Sequence, residues 1–333
     1  MSSGMLPEAI RPRGGRDRCG ALGWPPSHPQ RRRSLDMPLH RLAAALVALL
    51  VLAVGAAVAA PFDRGLLWRI ERDGRPASHV YGTIHLDDAR AKAFGPQVDE
   101  ALAASRALVV EMLDDADSRS AFEAAARLPP GRSLRTLAGP ERFERVASRL
   151  SERYGLPSAT TERLTPWAAY LTLSQPPRPQ GEIADAALQR IARQRGLPVV
   201  PLETAREQIA SIAAVQTGHM LALLDVQARR HDEAVAAIDT LLARYLEEDL
   251  DGMLQNEELA LQDEPSLRPA FGDLFEQILV RRSARMVERM QPRLERGGAF
   301  VAIGALHLHG EQGVLALLER AGWRVRRVEM QRR

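Results

Sequence analysis

The apolar positions divide the chain into stretches of two different periods. In "GLLWRIERDGRPASHVYGTI", apolar and polar residues alternate over about Leu66–Glu71 and again over Ser78–Ile84, with Asp73-Gly74 between them. That pattern predicts two strands joined by a turn. After His85 a loop leads to a helix over about 96–104, and "RALVVEML" follows as a short continuous apolar run ending on Glu111, as expected of a buried strand. The middle of the chain has helical spacing. "FERVASRLSERYG" stops at Gly155, "TPWAAYLTLS" starts with Thr165 as N-cap and Pro166 in the first turn, and "IADAALQRIARQRGLPVV" reads as helix, glycine stop and strand, ending in "PLET". Long helical patterns then cover roughly 205–230, 232–246, 247–261 and 270–296. The end of the chain, "AFVAIGALHLHGEQGVLALLERAGWRVRRVEM", returns to strand, loop, helix and strand.

The two ends resemble each other. Each has a strand, a Gly-x-x-His (Gly82 to His85, Gly304 to His307), a helix and a strand running into Val-Glu-Met, at 110–112 and 328–330. This predicts an α/β fold: a mixed sheet from two related strand–GxxH–helix–strand half-units, with a large helical insert or cap at about 117–296. The domain runs over 61–333.

Ahead of it, "LHRLAAALVALLVLAVGAAVAA" has a basic flank, an apolar run and small residues at its end, the layout of a signal peptide over 37–60. An uncleaved membrane anchor is the alternative, since the run is close to spanning length. Residues 1–36, rich in Arg, Gly and Pro, are expected to be a disordered upstream extension from a start site placed too early, with Met37 as the true start. The expected location is periplasmic or secreted.

Composition changes the picture in two ways. The formal charge of +3 is concentrated at the front, where residues 1–60 carry eight Arg against Glu8, Asp17 and Asp36. The rest is close to neutral, so no nucleic-acid partner is expected. The single cysteine, Cys19, lies in the doubtful extension, which leaves the domain without disulfides, thiolate metal sites or a Cys nucleophile. Nothing in the sequence sets an oligomeric state.

The residues that could carry chemistry sit at strand ends, where open α/β sheets place their ligands. His85 and His307 follow strands directly, and Gly82 and Gly304 permit a close backbone approach. Glu111 ends an apolar strand, where an ionised carboxylate is costly unless paired or bound to a cation. Two imidazoles and a carboxylate form the ligand set of many hydrolytic metal sites. The plainer readings are histidines with structural hydrogen bonds and a salt-bridged glutamate. His309 is read as structural and His79 as exposed.

These motifs, with "LLWRI", "YGTIHL", "LVVEM", Pro166-Trp167, Asp185 before a helix, "LETAREQ" at 202–208 and the stretch at 300–325, resemble the TraB/PrgY/GumN family over about 65–330. That family is related to the Tiki metalloproteases and, further off, to erythromycin-esterase-like and ChaN-like proteins. The resemblance implies a hydrolase-like site with His85, Glu111 and His307 as metal ligands, and Glu203 and Arg282 as further charged groups. Glu203 would be a general base or a residue orienting the site; otherwise it is a helix-start carboxylate. Arg282 would stabilise an oxyanion or a substrate carboxylate; otherwise it lies on a solvated helix. The family usually has Arg-Asn where this chain has Arg282-Ser283, which puts any hydrogen bond of that amide in doubt, although Ser keeps a shorter donor and acceptor.

Three functions follow as expectations. The first is a metal-dependent hydrolase acting on peptide bonds, with the Tiki resemblance favouring manganese or cobalt over zinc. The second is a metal-independent, esterase-like hydrolase; the expected substrate is a peptide or a small molecule. The third is a haem- or peptide-binding protein without turnover, with the two histidines as axial ligands. A membrane is involved only if the leader stays uncleaved.

Overall fold

The computed structural model describes residues 61–177, 181–258 and 260–331. The expected extension and leader lie outside them. The chain forms one six-stranded mixed sheet among many helices, in the order β4-β3-β5-β2-β1-β6. The strands are β1 (Leu67–Glu71), β2 (Ser78–Thr83), β3 (Ala107–Val110), β4 (Val199–Pro201), β5 (Ala299–Gly304) and β6 (Arg324–Arg327). β1 and β2 form the expected antiparallel pair, with Gly74 at φ +76° in the turn. β2, β5, β3 and β4 are mutually parallel, so their carboxyl ends form one edge.

The apolar pattern explains the order. Residues 299–303 and 107–110 are buried throughout, as befits strands covered on both faces, and they take central places. β6 pairs antiparallel with β1 at the sheet margin, with a mostly exposed pattern, Arg-Val-Arg-Arg. Both ends of the chain show the strand, Gly-x-x-His, helix, strand order. The two Gly-x-x-His strands are direct neighbours, with Gly82 opposite Ile303 and Thr83 opposite Gly304. That pairing brings together motifs more than two hundred residues apart.

The remaining helices follow their caps. Helix Pro140–Tyr154 stops at Gly155, in the left-handed region at φ +66°. Helix Pro166–Leu173 has Thr165 accepting from the Ala168 N–H. Helix Ala205–Ala213 has a full capping box between Thr204 and Glu207.

Two expected helices are interrupted. The pattern at 205–230 is two helices, Ala205–Ala213 and Thr217–Arg229, bent by 89°. Asp273 explains the break, because its Oδ2 accepts from the Gln216 N–H and lies 2.9 Å from His219 Nδ1. This cap comes from a distant helix and leaves no local signal. The pattern at 270–296 is helix Arg268–Phe275, a π-helical turn over Glu276–Val280, and helix Arg281–Arg296. His79 is half-buried rather than exposed. Among the described residues no single helix is long and apolar enough to cross a membrane.

Candidate active site

Four strand ends build the site. Glu111 follows β3, Glu203 follows β4, His85 follows β2, and Gly304 ends β5 with His307 in the short 3-10 turn Ala305–Leu308 behind it. β3 and β4 keep pairing beyond their named ends, because the Glu203 N–H donates to the Glu111 carbonyl at 2.7 Å. The two glutamates are thereby side by side.

His85, Glu111 and His307 converge on one point. A methyl-sized probe placed where Gly304 would carry a Cβ lies 3.2 Å from Glu111 Oε1, 3.5 Å from His85 Nε2 and 3.6 Å from His307 Cδ2. Gly304 has ordinary extended backbone (φ −54°, ψ 134°), so its missing side chain matters here for space rather than for conformation. Its N–H donates to Glu111 Oε1 at 2.6 Å. Gly82 also allows close approach, since a Cβ there would stand 2.9 Å from Leu308 Cδ1 and 3.0 Å from Ala305 Cα. The Gly82 carbonyl accepts from the Tyr245 hydroxyl at 3.0 Å, which ties the first motif to the helical part.

Each histidine is oriented through its Nδ1. That of His85 lies 2.9 Å from Asp185 Oδ2, and Asp185 Oδ1 accepts from the Thr83 hydroxyl at 2.7 Å. Asp185 sits in the first turn of helix Ala184–Gln194. The Nδ1 of His307 lies 2.8 Å from Ser283 Oγ. The departure from Arg-Asn thus keeps a hydrogen-bonding group on His307, supplied by the shorter hydroxyl.

The two rings differ in charge. The Asp185 carboxylate raises the pKa of His85 to about 9. Its side chain is 55% exposed, which screens the pair, so His85 is favoured as imidazolium without being locked in that form. Burial lowers the pKa of His307 to about 3, and this ring is neutral at neutral pH. For Glu111, burial alone would push the carboxyl upward. The Arg282 guanidinium, with the two histidines and the Gly304 N–H, outweighs that and holds it below the usual carboxylate range. With His307 neutral, Arg282 has the largest part in this.

Arg282 is not a solvated helix residue. Its side chain is 13% exposed, and it donates to Glu111 Oε2 and to Glu203 Oε2. Glu203 is fully buried, and both of its oxygens are taken: Oε2 by Arg282 at 2.9 and 2.8 Å, Oε1 by Arg285, whose Nε is 2.8 Å away. One helix face carries Arg282, Arg285 and Arg289 at helical spacing, and Arg289 continues the row to the Leu202 carbonyl and Glu207. The π-helical turn just before this helix leaves the Ile278 carbonyl to accept from Arg282 Nη1 at 3.4 Å. The sequence reading noted Ser283 only as a departure from the family pattern and Asp185 only as a motif residue, and it missed Arg285, Thr83 and Gln208, whose Nε2 donates to Glu111 Oε2 at 3.3 Å and to Glu203 Oε2 at 3.4 Å. The spacing of 282, 285 and 289 was a readable signal for the arginine row.

Among the described residues, no group of three or more His, Cys, Asp or Glu forms a ready-made metal cage. The donor chemistry still suits a divalent ion. Both Nδ1 atoms are engaged, which leaves both Nε2 atoms as donors, and His307 Nε2 stands 3.9 Å from Glu111 Oε1. Two features oppose it: Arg282 holds the other carboxylate oxygen, and Asp185 favours a proton on His85 that an ion would have to displace from Nε2.

Two cavities meet here. One of about 540 Å³ is lined by His85, His307, Arg282 and a largely apolar wall. The other, of about 990 Å³, is lined by His85, Glu111, Arg282 and polar groups including Asp114, Arg119 and Asp185.

A mixed α/β sheet thus carries paired histidines and a buried carboxylate at its parallel strand ends, facing a two-sided cleft. The chain belongs to the TraB/PrgY/gumN family, whose model matches residues 66–327. It is also similar to metalloprotease TIKI1 of Danio rerio, with 26% identity over 309 residues covering 78% of this chain. That stretch spans 62% of the relative's length. No solved structure matches the chain.

Proposed function

We propose that the protein is a metal-dependent hydrolase that cleaves an amide bond in a peptide substrate, after export to the periplasm or beyond. The observation that carries the reading is the convergence of His85 Nε2, Glu111 Oε1 and the His307 ring beside Gly304. In this proposal those three groups hold the ion. A divalent ion bound there supplies a water of lowered pKa and polarises the carbonyl to be attacked. Asp185 and Ser283 fix the rings so that both Nε2 atoms face the cleft. Arg282 sets positive charge where the oxyanion develops. Glu203, with both oxygens bound to guanidinium groups, orients Arg282 and has no free oxygen to serve as a base. The family and the distant metalloprotease relative support hydrolase-like chemistry at a coarser level. Manganese or cobalt is the preferred ion in this reading.

The test is thermal unfolding and peptide hydrolysis with and without manganese, in the wild type and Glu111→Gln. An amide oxygen is a poorer ligand, and even changes behind the ligands cost about ten- to a hundredfold in metal affinity. The wild type should gain melting temperature from the ion and the variant should not. An equal response in both removes Glu111 from the metal site.

One observation favours a second reading, hydrolysis without metal. His85 lines both cavities with its Nδ1 2.9 Å from Asp185 Oδ2, a pairing that favours the imidazolium, and an imidazolium facing the cleft is a general acid in its own right. Full activity in chelator-treated protein holding less than stoichiometric metal would select it.

A further inference from the structure

Gln208 touches both glutamates of the site. It stands in the first turn of helix Ala205–Ala213, one residue past the capping box of Thr204 and Glu207 that starts this helix directly behind Glu203. Its Nε2 donates to Glu111 Oε2 at 3.3 Å and to Glu203 Oε2 at 3.4 Å. Those two carboxylates decide which way the amide points. Both are salt-bridged to Arg282, and an amide turned over would set its oxygen against two acceptors. The two N–H groups are thus spent, one on each glutamate, and Oε1 is directed away from them.

That oxygen is uncommitted. It has no hydrogen-bond partner among the described residues, and it is not sealed off, because Gln208 is half-buried and lines the polar cavity. The carboxylates at the strand ends are all occupied. Glu111 is held by Gly304, Arg282 and Gln208 itself, Glu203 by Arg282 and Arg285, and Asp185 by His85 and Thr83.

Position decides which donor this oxygen meets. The point on which His85, Glu111 and His307 converge lies on the Oε1 side of Glu111, beside Gly304, whereas Gln208 touches Oε2. His307 and Gly304 line the apolar cavity, and Gln208 lines the polar one. A water at the convergence point is therefore separated from Gln208 by the carboxylate, while a chain lying in the polar cavity is not. We infer that Gln208 is a specificity residue whose amide oxygen accepts a hydrogen bond from a backbone N–H of a peptide segment in the polar cavity. Calling that peptide a substrate rests on the hydrolase reading; the hydrogen bond does not. An ester analogue has the same shape and lacks the donor, so the contact separates the two.

Calorimetric titration of the purified protein tests this. The probes are blocked hexapeptides with Leu and Val in one half and Ser and Asn in the other, in both orders. In their analogues each backbone N–H of the polar half is replaced in turn by an ester oxygen. In the wild type one replacement should weaken binding about tenfold, about 1.4 kcal/mol, and the others little. Gln208→Met, close in size and without either polar group, should bind the parent peptide about tenfold more weakly and no longer distinguish it from that analogue. Gln208→Asn, which withdraws the amide by one methylene, should do the same and serves if the first variant does not fold. Equal affinity for all analogues in the wild type, binding of no peptide, or discrimination retained in the variants overturns the inference. Weakening of every probe by the same factor also overturns it, since that is the mark of a structural role. Tighter binding of maltohexaose than of every peptide overturns it in favour of hydroxyl donors. Mass spectrometry of the same mixtures reads cleavage separately. Discrimination without cleavage upholds the hydrogen bond and counts against the hydrolase; cleavage without discrimination does the reverse.

Discussion

Replacing Glu203 with Gln should destabilise the protein by about 3 kcal/mol, the lower part of the range of about 3–5 for breaking a buried ion pair from one side. Glu203 has no exposed side-chain surface and is clamped by Arg282 and Arg285, which are 13% and 28% exposed. The amide keeps the volume and one acceptor but removes the charge. Arg282 still has Glu111, so one of its two carboxylate partners survives. Arg285 loses the Glu203 carboxylate, keeps the Ser211 hydroxyl at 3.0 Å, and is open enough to recover some hydration. Those two compensations place the estimate at the low end. Urea unfolding of the wild type and the variant at neutral pH measures the difference, with an unchanged m-value showing that the folded state is comparable. Activity should fall as well, through a misplaced Arg282, and the fall should be similar at all pH values because no titrating base is lost. A loss of stability below about 1 kcal/mol would refute the argument that the glutamate neutralises a buried guanidinium pair. A pH profile that loses its acidic limb would restore Glu203 as the general base.

Three further outcomes follow from the geometry. His85→Ala and His307→Ala should each abolish activity while the fold is retained, and the double variant should be no worse than either single one, because groups that act as a unit are not additive; independent multiplication of the effects, measured by steady-state kinetics, would separate the histidines. Gly304→Ala should fold, since its backbone is ordinary, yet lose at least about a hundredfold in activity, because its Cβ would occupy the point on which Glu111, His85 and His307 converge; kinetics together with a melting curve check both halves. Glu207, bonded by Arg289 and by the Thr204 N–H, has its pKa lowered to about 2. Its contribution is therefore complete above the unfolded value near 4.5 and is lost as pH falls towards 2. The pair is partly exposed, so the effect is modest. Urea unfolding of Glu207→Gln should show its deficit at pH 7 and none at pH 2.

The sequence by itself determined the parts that depend on local rules. Alternation placed β1 and β2 to within a residue, because a pleated strand exposes its period directly, and continuous apolar runs located β3 and β5. Thr165, Pro166 and Gly155 set helix ends, because caps act on the adjacent backbone. The repeated Gly-x-x-His singled out His85 and His307, and the lone carboxylate ending an apolar strand singled out Glu111. The tertiary structure decided what required distant partners. The 89° break after Ala213 depends on Asp273, and the fixed direction of each imidazole depends on Asp185 and Ser283, all far away in sequence. Arg282 reads as one arginine among many on a polar helix. It becomes a buried charge only because helix Arg281–Arg296 lies across the ends of β3 and β4, where Glu111 and Glu203 stand side by side. Periodicity is a property of neighbours along the chain, whereas desolvation and charge pairing are set by neighbours in space.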